Sequence, residues 1–554
     1  MRAPDERPVT PPRVARPAGP PEPSAPSRSA EEHAGWGCAR IGEFAARVPA
    51  QPPVPFWWRW LPRWLQPGPL WASRNDVVAT LFGDPTDEIR TAWLGRMDAG
   101  PQDPARDLDT RVVDRFADRE QISVALLGDP GEGDASQYVV PPVLERVAAD
   151  TDLAVVVSDV IYPAGGVGEY EDRLHRPYTG YPGPIYGLPG NHDWYDDLTG
   201  FMATFCGQAP DDGPPRVPGP GPAWKRWLRR RLWRAAPLGT AEQVERMRAR
   251  WRGEPGQQAT QPGPYCAIDA GPVRLVLIDT GLHGGIDADQ ADWLREVSYA
   301  DDRPKILLTG KPLLTYGAPR PCPVRDPRPD GPRSVDEIVT DPRAHYIAAI
   351  GGDDHAYQRY PVTLADGRTL LYLVAGGSGA FLSATHTIPN LDGMPVAVAE
   401  DDFRCYPLRG DSLAYFSRRY DRVFGLGLGK LVLSPGEATA LVAERLHMDP
   451  PRGTEVEPGV WARRIEPALF RLPSRGSAPG HNLMSVLFDG DTPPLFKSFL
   501  RLDATADEVV IGAWAATGCL EHEQHPVCED RMRARRGADG RWSWTSETPG
   551  RAAP

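Results

Sequence analysis

Lysine is nearly missing from this chain. Of the 62 basic side chains in 554 residues, only Lys225, Lys305, Lys311, Lys430 and Lys497 are lysines. Arginine carries the rest of the positive charge, a bias of composition and not of function. Cysteine is sparse too: the seven are scattered, odd in number and without CxxC spacing. That pattern argues against a zinc cluster or a disulfide framework. No uncharged apolar run approaches the roughly 20 residues of a membrane span, and no charged-then-apolar leader opens the chain. The expected location is therefore cytoplasmic. Basic residues are also in deficit against 74 acidic ones, for a net charge of -12. The whole molecule is thus no electrostatic nucleic-acid binder, and no nucleic-acid partner is expected. Oligomeric state leaves no mark in the sequence.

Proline and glycine are abundant, 63 and 56 residues, and unevenly spread. Residues 1–75 form a Pro-rich segment without hydrophobic periodicity at its start, expected to be largely disordered. It carries a Trp/Arg cluster at 56–65, with Trp57, Trp58, Trp60 and Trp64 interleaved by Arg59 and Arg63. Such a cluster docks on the chain's own core or makes a peripheral membrane contact.

From 76 to about 400 the texture is α/β. Ile122 to Leu127, Leu153 to Val157, Val273 to Ile278, Lys305 to Leu308, Tyr346 to Ile350 and Leu371 to Val374 are short apolar runs. Their branched residues and closing Gly or Asp predict buried strands, and Val139 to Ala149 predicts a helix. A basic insertion interrupts this core at about 207–262. Within it, residues 225–252 hold ten Lys/Arg against two Glu, which predicts one or two basic amphipathic helices. Residues 401–554, with strand-like runs such as Val509 to Trp514, read as a smaller, partly β region of unassigned role.

Four polar clusters close successive predicted strands, where open α/β sheets hold ligands. They are Gly128-Asp129-Pro130-Gly131, Ser158-Asp159-Val160-Ile161-Tyr162, Gly190-Asn191-His192-Asp193 and Gly351-Gly352-Asp353-Asp354-His355. Each alone is consistent with a turn. Together they offer the donors of a two-ion centre, in which cations about 4 Å apart hold a phosphoryl group and activate water. Asp159 suits a bridging carboxylate, Asp129 a terminal one, Asn191 an amide oxygen donor and His355 a nitrogen donor. His192 would stand beside the ions and handle a proton, with Asp193 orienting its ring.

On these motifs the sequence resembles the calcineurin-like metallophosphoesterase superfamily over roughly residues 120–380. Asp129-Pro130-Gly131 and Asp159-Val160-Ile161-Tyr162 look closest to the purple acid phosphatase branch, although Ser158 replaces a glycine. The resemblance implies an α/β catalytic domain at 76–400 with a layered sheet core and helices outside. It also implies hydrolysis of phosphate esters by a metal-bound hydroxide, with His192 assisting the leaving group. Tyr162 would join Asp129, Asp159 and His355 around a first ion, Fe or Mn.

Two departures fall on the second ion. The expected lone histidine is absent from Thr309-Gly310-Lys311-Pro312, replaced by Gly310 or Lys311, and Asp353 stands for the first histidine of the closing motif. The remaining donors, Asp159, Asn191 and Asp353, are all oxygen and suit Mn, Mg or Ca. Lys311, pointing inward, would replace that ion's charge or bind phosphate as a point charge. The alternative functions are a degenerate fold that binds a phosphorylated ligand without turnover, and a membrane-surface scaffold.

Overall fold

The computed structural model describes residues 38, 40–49, 67–100, 110–234, 237, 239–449, 456–471, 485 and 493–547. The Trp/Arg cluster at 56–65 lies outside the described residues. In chain order the strands are β1 (Val112–Val113), β2 (Gln121–Gly128), β3 (Leu153–Val157), β4 (Ile185–Leu188), β5 (Cys266–Ala270) and β6 (Val273–Ile278). Next come β7 (Lys305–Thr309), β8 (Leu314–Thr315), β9 (Ala318–Pro319), β10 (Tyr346–Gly351), β11 (Tyr357–Thr363) and β12 (Thr369–Ala375). The last are β13 (Arg404–Tyr406), β14 (Lys497–Thr505), β15 (Glu508–Ala516), β16 (Cys528–Arg536) and β17 (Trp542–Ser546).

Two large sheets form an α/β sandwich. One has the order β17-β16-β15-β14-β2-β3-β4, the other β1-β5-β6-β7-β10-β12-β11-β13. The strands β2, β3 and β4 run parallel, as do β6, β7, β10 and β12. Alternate residues explain the layering. Val124, Leu126, Val155 and Val157 share one buried cluster with Leu275, Leu277, Ile306, Leu308 and Ile350 of the facing sheet. Their neighbours Ala125, Leu127, Ala154 and Val156 face the opposite way, into a second cluster with Val140, Val143 and Val147. Strands covered on both faces need no polar alternation, which is why they read as continuous apolar runs. The predicted helix is Val140–Val147, with proline in its first turn. Behind the second sheet the helix Ala288–Tyr299 is capped by Asp287, whose side chain accepts from the Gln290 amide at 2.7 Å.

Three features depart from the sequence reading. The strands from the segment 401–554 are not set apart: β14 pairs antiparallel with β2, Leu500 opposite Leu126, so β14 to β17 complete the first sheet, while β13 edges the second. Within residues 1–75, the stretch 40–49 is ordered against the same region. Glu43 and Phe44 donate their backbone amides to Glu523, at 2.6 and 3.4 Å, and Phe44 is buried. Lastly, Cys38 is bridged to Cys519, 481 residues along the chain, while Cys206, Cys266, Cys322, Cys405 and Cys528 are buried thiols.

The basic insertion folds as two helices, Ala223–Leu232 and Ala241–Trp251. Part of its charge is structural. Arg229 is buried and donates to the carbonyls of Phe82 and Gly83 at 3.1 Å, and buried Arg252 donates to that of Tyr181 at 3.0 Å. Val244 and Met247 anchor the second helix against Val167 and Ala203.

Candidate active site

The four clusters meet at the carboxyl ends of β2, β3, β4 and β10. Asp129, Ser158 and Asp353 each turn the chain there with positive φ, 52°, 72° and 66°. Left-handed backbone is costly for a residue with a side chain, and it concentrates at functional turns. It also explains why a glycine is expected at Ser158. The turns leave little room. A Cβ on Gly190 would lie 2.1 Å from Asp159 Oδ1, and one on Gly352 would lie 2.6 Å from Asp129 Oδ2. These two glycines let the backbone close on the carboxylates.

One donor set converges. The Tyr162 hydroxyl lies 3.2 Å from Asp129 Oδ1 and 3.0 Å from His355 Nε2, and burial with the Asp129 and Asp159 charges raises its pKa well above that of a free phenol. All four side chains are buried. His355 Nδ1 lies 2.9 Å from the Phe381 carbonyl. A carbonyl only accepts, so the ring's proton is on Nδ1 and Nε2 faces Tyr162. Burial holds that imidazole neutral, pushing its pKa down to about 3, and the neutral ring is the form a metal requires. Burial and the Asp159 and Asp353 charges push Asp129 well above the usual carboxylate range. Burial also raises Asp159, against the pull of His192, with Asp353 adding to the rise. The turns thus crowd like charges in a way that a bound cation relieves.

The Asn191-His192-Asp193 turn behaves differently from expectation at one position. His192 donates its backbone amide to Asp159 Oδ1 at 2.7 Å, and its Nδ1 donates to the Pro163 carbonyl at 2.9 Å. Its ring packs between Tyr162 and Tyr195, tilted 53° and 60° to them with centroids 4.5 and 4.7 Å away. The ring is therefore oriented by Pro163 and two aromatics, not by Asp193. Asp193 is fully buried and accepts the amides of Val160 and Gly190 at 2.9 and 3.0 Å, with the Tyr170 hydroxyl 3.5 Å from its other oxygen. It ties the Asp159 turn to the Asn191 turn. A GNHD-type turn needs its backbone amides satisfied, and the acid is spent there.

The second centre holds a lysine. Lys311, just past β7, places Nζ 2.6 Å from Asp353 Oδ1 and 3.4 Å from Asn191 Oδ1. Of the two residues that stand for the missing histidine, Lys311 is the one that reaches inward. Burial opposes the charge on Asp353, yet the ammonium outweighs it and holds the carboxyl below its usual range. Asn191 is steadied through its amide, which donates to the Tyr195 hydroxyl at 3.2 Å.

The donor chemistry separates the two ion positions. Asp129, Asp159, Tyr162 and His355 fit a single hard or borderline cation, given three oxygens and one neutral nitrogen. That match is one of donor type: among the described residues, no three His, Cys, Asp or Glu side chains gather closely enough to hold an ion. A second cation does not fit, because the Lys311 ammonium already occupies the space between Asp353 and Asn191. Sequence reasoning missed Pro163 and Phe381, which act through backbone carbonyls and so leave no side-chain signature. It also missed Tyr195, four residues past Asn191 in an otherwise ordinary aromatic pair.

No protein-family model matches this chain, and no curated protein matches it. Among solved structures it is similar to the purple acid phosphatase PPD1 from yellow lupin (Lupinus luteus) seeds, at 11% identity and a TM-score of 0.37. That match covers 76% of this chain and 55% of the lupin chain, so this chain spans little more than half the length of that enzyme. It is also similar to PhoD, at 9% identity and a TM-score of 0.35 over 79% of this chain and 73% of that one. GAP50, the anchor in the inner membrane complex of Plasmodium, matches at 12% identity and a TM-score of 0.28 over 48% and 73%.

Proposed function

We propose that the chain is a metal-dependent hydrolase of phosphate esters built around one ion. The observation that carries this reading is the convergence of Asp129, Asp159, Tyr162 and His355, with His192 alongside, at the carboxyl ends of strands from both sheets. Fe or Mn suits that mixed donor set. An ion bound there supplies a Lewis acid for a phosphoryl oxygen and lowers the pKa of water. The protein's own groups do the rest. Lys311 offers a fixed positive charge to a phosphoryl oxygen in place of a second cation. With His192 Nδ1 committed to Pro163, Nε2 is the nitrogen that exchanges a proton with the leaving oxygen.

One observation favours a second reading. The Lys311–Asp353 pair at 2.6 Å fills the second ion's place, and a site closed in this way suits binding of a phosphorylated ligand without turnover. A panel of phosphomonoesters and phosphodiesters with Mn, Mg, Fe and Zn, run beside Asp159→Asn, separates the two. Hydrolysis in at least one metal, reduced at least about a hundredfold by the substitution, is the expected result. Absence of hydrolysis in every metal, with phosphate binding retained in calorimetry, would establish the second reading instead.

A further inference from the structure

Seven of the exposed large apolar side chains lie on three short helices at one edge of the molecule. They are Leu70 and Trp71 on Pro67–Ala72, Val77 and Leu81 on Arg74–Phe82, and Trp224, Trp227 and Leu232 on Ala223–Leu232. The helices are held together. Arg74 Nε donates to the Leu232 carbonyl at 2.9 Å, and the Arg234 amide donates to Asn75 Oδ1 at 2.7 Å. Their inward faces are occupied, by Asn75, Val78 and Ala79 on one helix and Arg229 on the other.

The outward face of Ala223–Leu232 has a definite composition. Positions 224, 227, 228 and 231 share one side of a helix, which places Trp224, Trp227, Leu228 and Arg231 together, with Arg230 at its edge. The helix has no acidic residue. Cations sit on the aromatics: Arg74 lies 4.0 Å from the Trp71 ring centroid and Lys225 lies 5.7 Å from that of Trp224. In a chain of net charge -12, such a face is a local reversal of sign, and it attracts anions. Tryptophans exposed beside arginines are the composition of a helix lying in a lipid interface, rings among acyl chains and cations at headgroups. No described helix is long and apolar enough to cross a membrane.

We propose that this face docks on an anionic phospholipid surface. The docking is independent of turnover at the candidate active site, but the two are neighbours. Asn75, on the inward side of Arg74–Phe82, donates to the Tyr195 carbonyl at 2.8 Å, and Tyr195 packs on His192.

Co-sedimentation of the full chain with vesicles tests the idea, using phosphatidylglycerol/phosphatidylcholine against phosphatidylcholine alone at low and high salt. The chain should bind the anionic vesicles, less so in high salt. Both Trp224→Ala/Trp227→Ala and Arg230→Glu/Arg231→Glu should weaken binding by about tenfold or more. Arg328→Glu/Arg343→Glu, on exposed arginines of other elements, should not. Circular dichroism confirms that each variant folds. Absence of binding overturns the proposal, as does binding that none of these pairs changes. Loss with the arginine pair alone, matched by equal binding to duplex DNA, also overturns it, by showing a general polyanion surface.

Discussion

Replacing Lys311 by methionine keeps the length of the side chain and removes its charge. Asp353 then stands beside Asp129 and Asp159 with no cation against it. Breaking a fully buried pair by removing one partner costs about 3–5 kcal/mol. Here Lys311 and Asp353 keep 30% and 23% of their side-chain surface, so solvent screening brings the cost to about 2–3 kcal/mol. The space between Asp353 and Asn191 meanwhile becomes an all-oxygen position able to take a second cation. Manganese at a hundred times its dissociation constant for that position would return about 2.7 kcal/mol. Urea denaturation with and without manganese, together with elemental analysis, reads both effects. The wild type should carry one ion per chain and gain little from excess metal at the second position. The variant should unfold at lower urea, recover with manganese and carry two ions. Asp353 has a depressed pKa, so its contribution is present above the ordinary carboxylate pKa and lost as pH falls through the folded value. The difference between the proteins should therefore close in acid. Two tightly held ions per wild-type chain would refute the reasoning, as would a variant with unchanged stability and one ion.

Other substitutions probe the surroundings. Burial, with the neighbouring Asp197 charge, raises the Asp196 pKa to about 8. A raised pKa means that folding holds a proton the unfolded chain has released, so stability falls as pH rises from about 4 to about 8. Asp196→Asn should flatten that slope in urea midpoints taken at pH 5, 6.5 and 8. Gly190→Ala drives a methyl group into Asp159 and should abolish metal retention on gel filtration while leaving the sheets intact by circular dichroism. Thiol titration of the denatured, unreduced protein should count five cysteines and the reduced protein seven. Because such bridges persist in oxidising compartments, a count of seven before reduction is the result that fits a cytoplasmic protein. Cys38→Ser/Cys519→Ser should cost about 2–4 kcal/mol where the bridge forms.

The sequence disclosed what its local chemistry determines. Ile122 to Leu127 and Leu153 to Val157 are legible as buried parallel strands because both faces are covered. The clusters after them are legible because a turn at a strand's carboxyl end has few other reasons to carry Asp, Asn and His together. Lys311 was legible as a departure at a position where an imidazole is expected. Relations across long separations were hidden. Nothing in residues 497–505 announces a partner at 121–126, since an apolar strand fits any matching edge. The Cys38 and Cys519 pairing, 481 residues apart, is equally invisible. Asp193 misled because a carboxylate next to a histidine suggests an orienting pair, whereas backbone amides from two loops claim it first.

The pairing of β14 with β2 has a consequence for how the protein comes into being. Asp129 is steadied from the far end of the chain: its carbonyl accepts the Ala380 amide at 2.9 Å, and the Ala380 carbonyl in turn accepts from the Lys497 ammonium. Ser378 links the Gly128 amide at 3.0 Å to the Ser498 carbonyl at 2.8 Å. During synthesis, which releases the amino-terminal part first, β2 therefore has one bare edge until nearly all of the 554 residues have been made. The donors of Asp129, Asp159 and Asn191 emerge early but acquire their final support late. A ribosome stalled anywhere before residue 497 would hold a chain with its ligands present and its site unassembled.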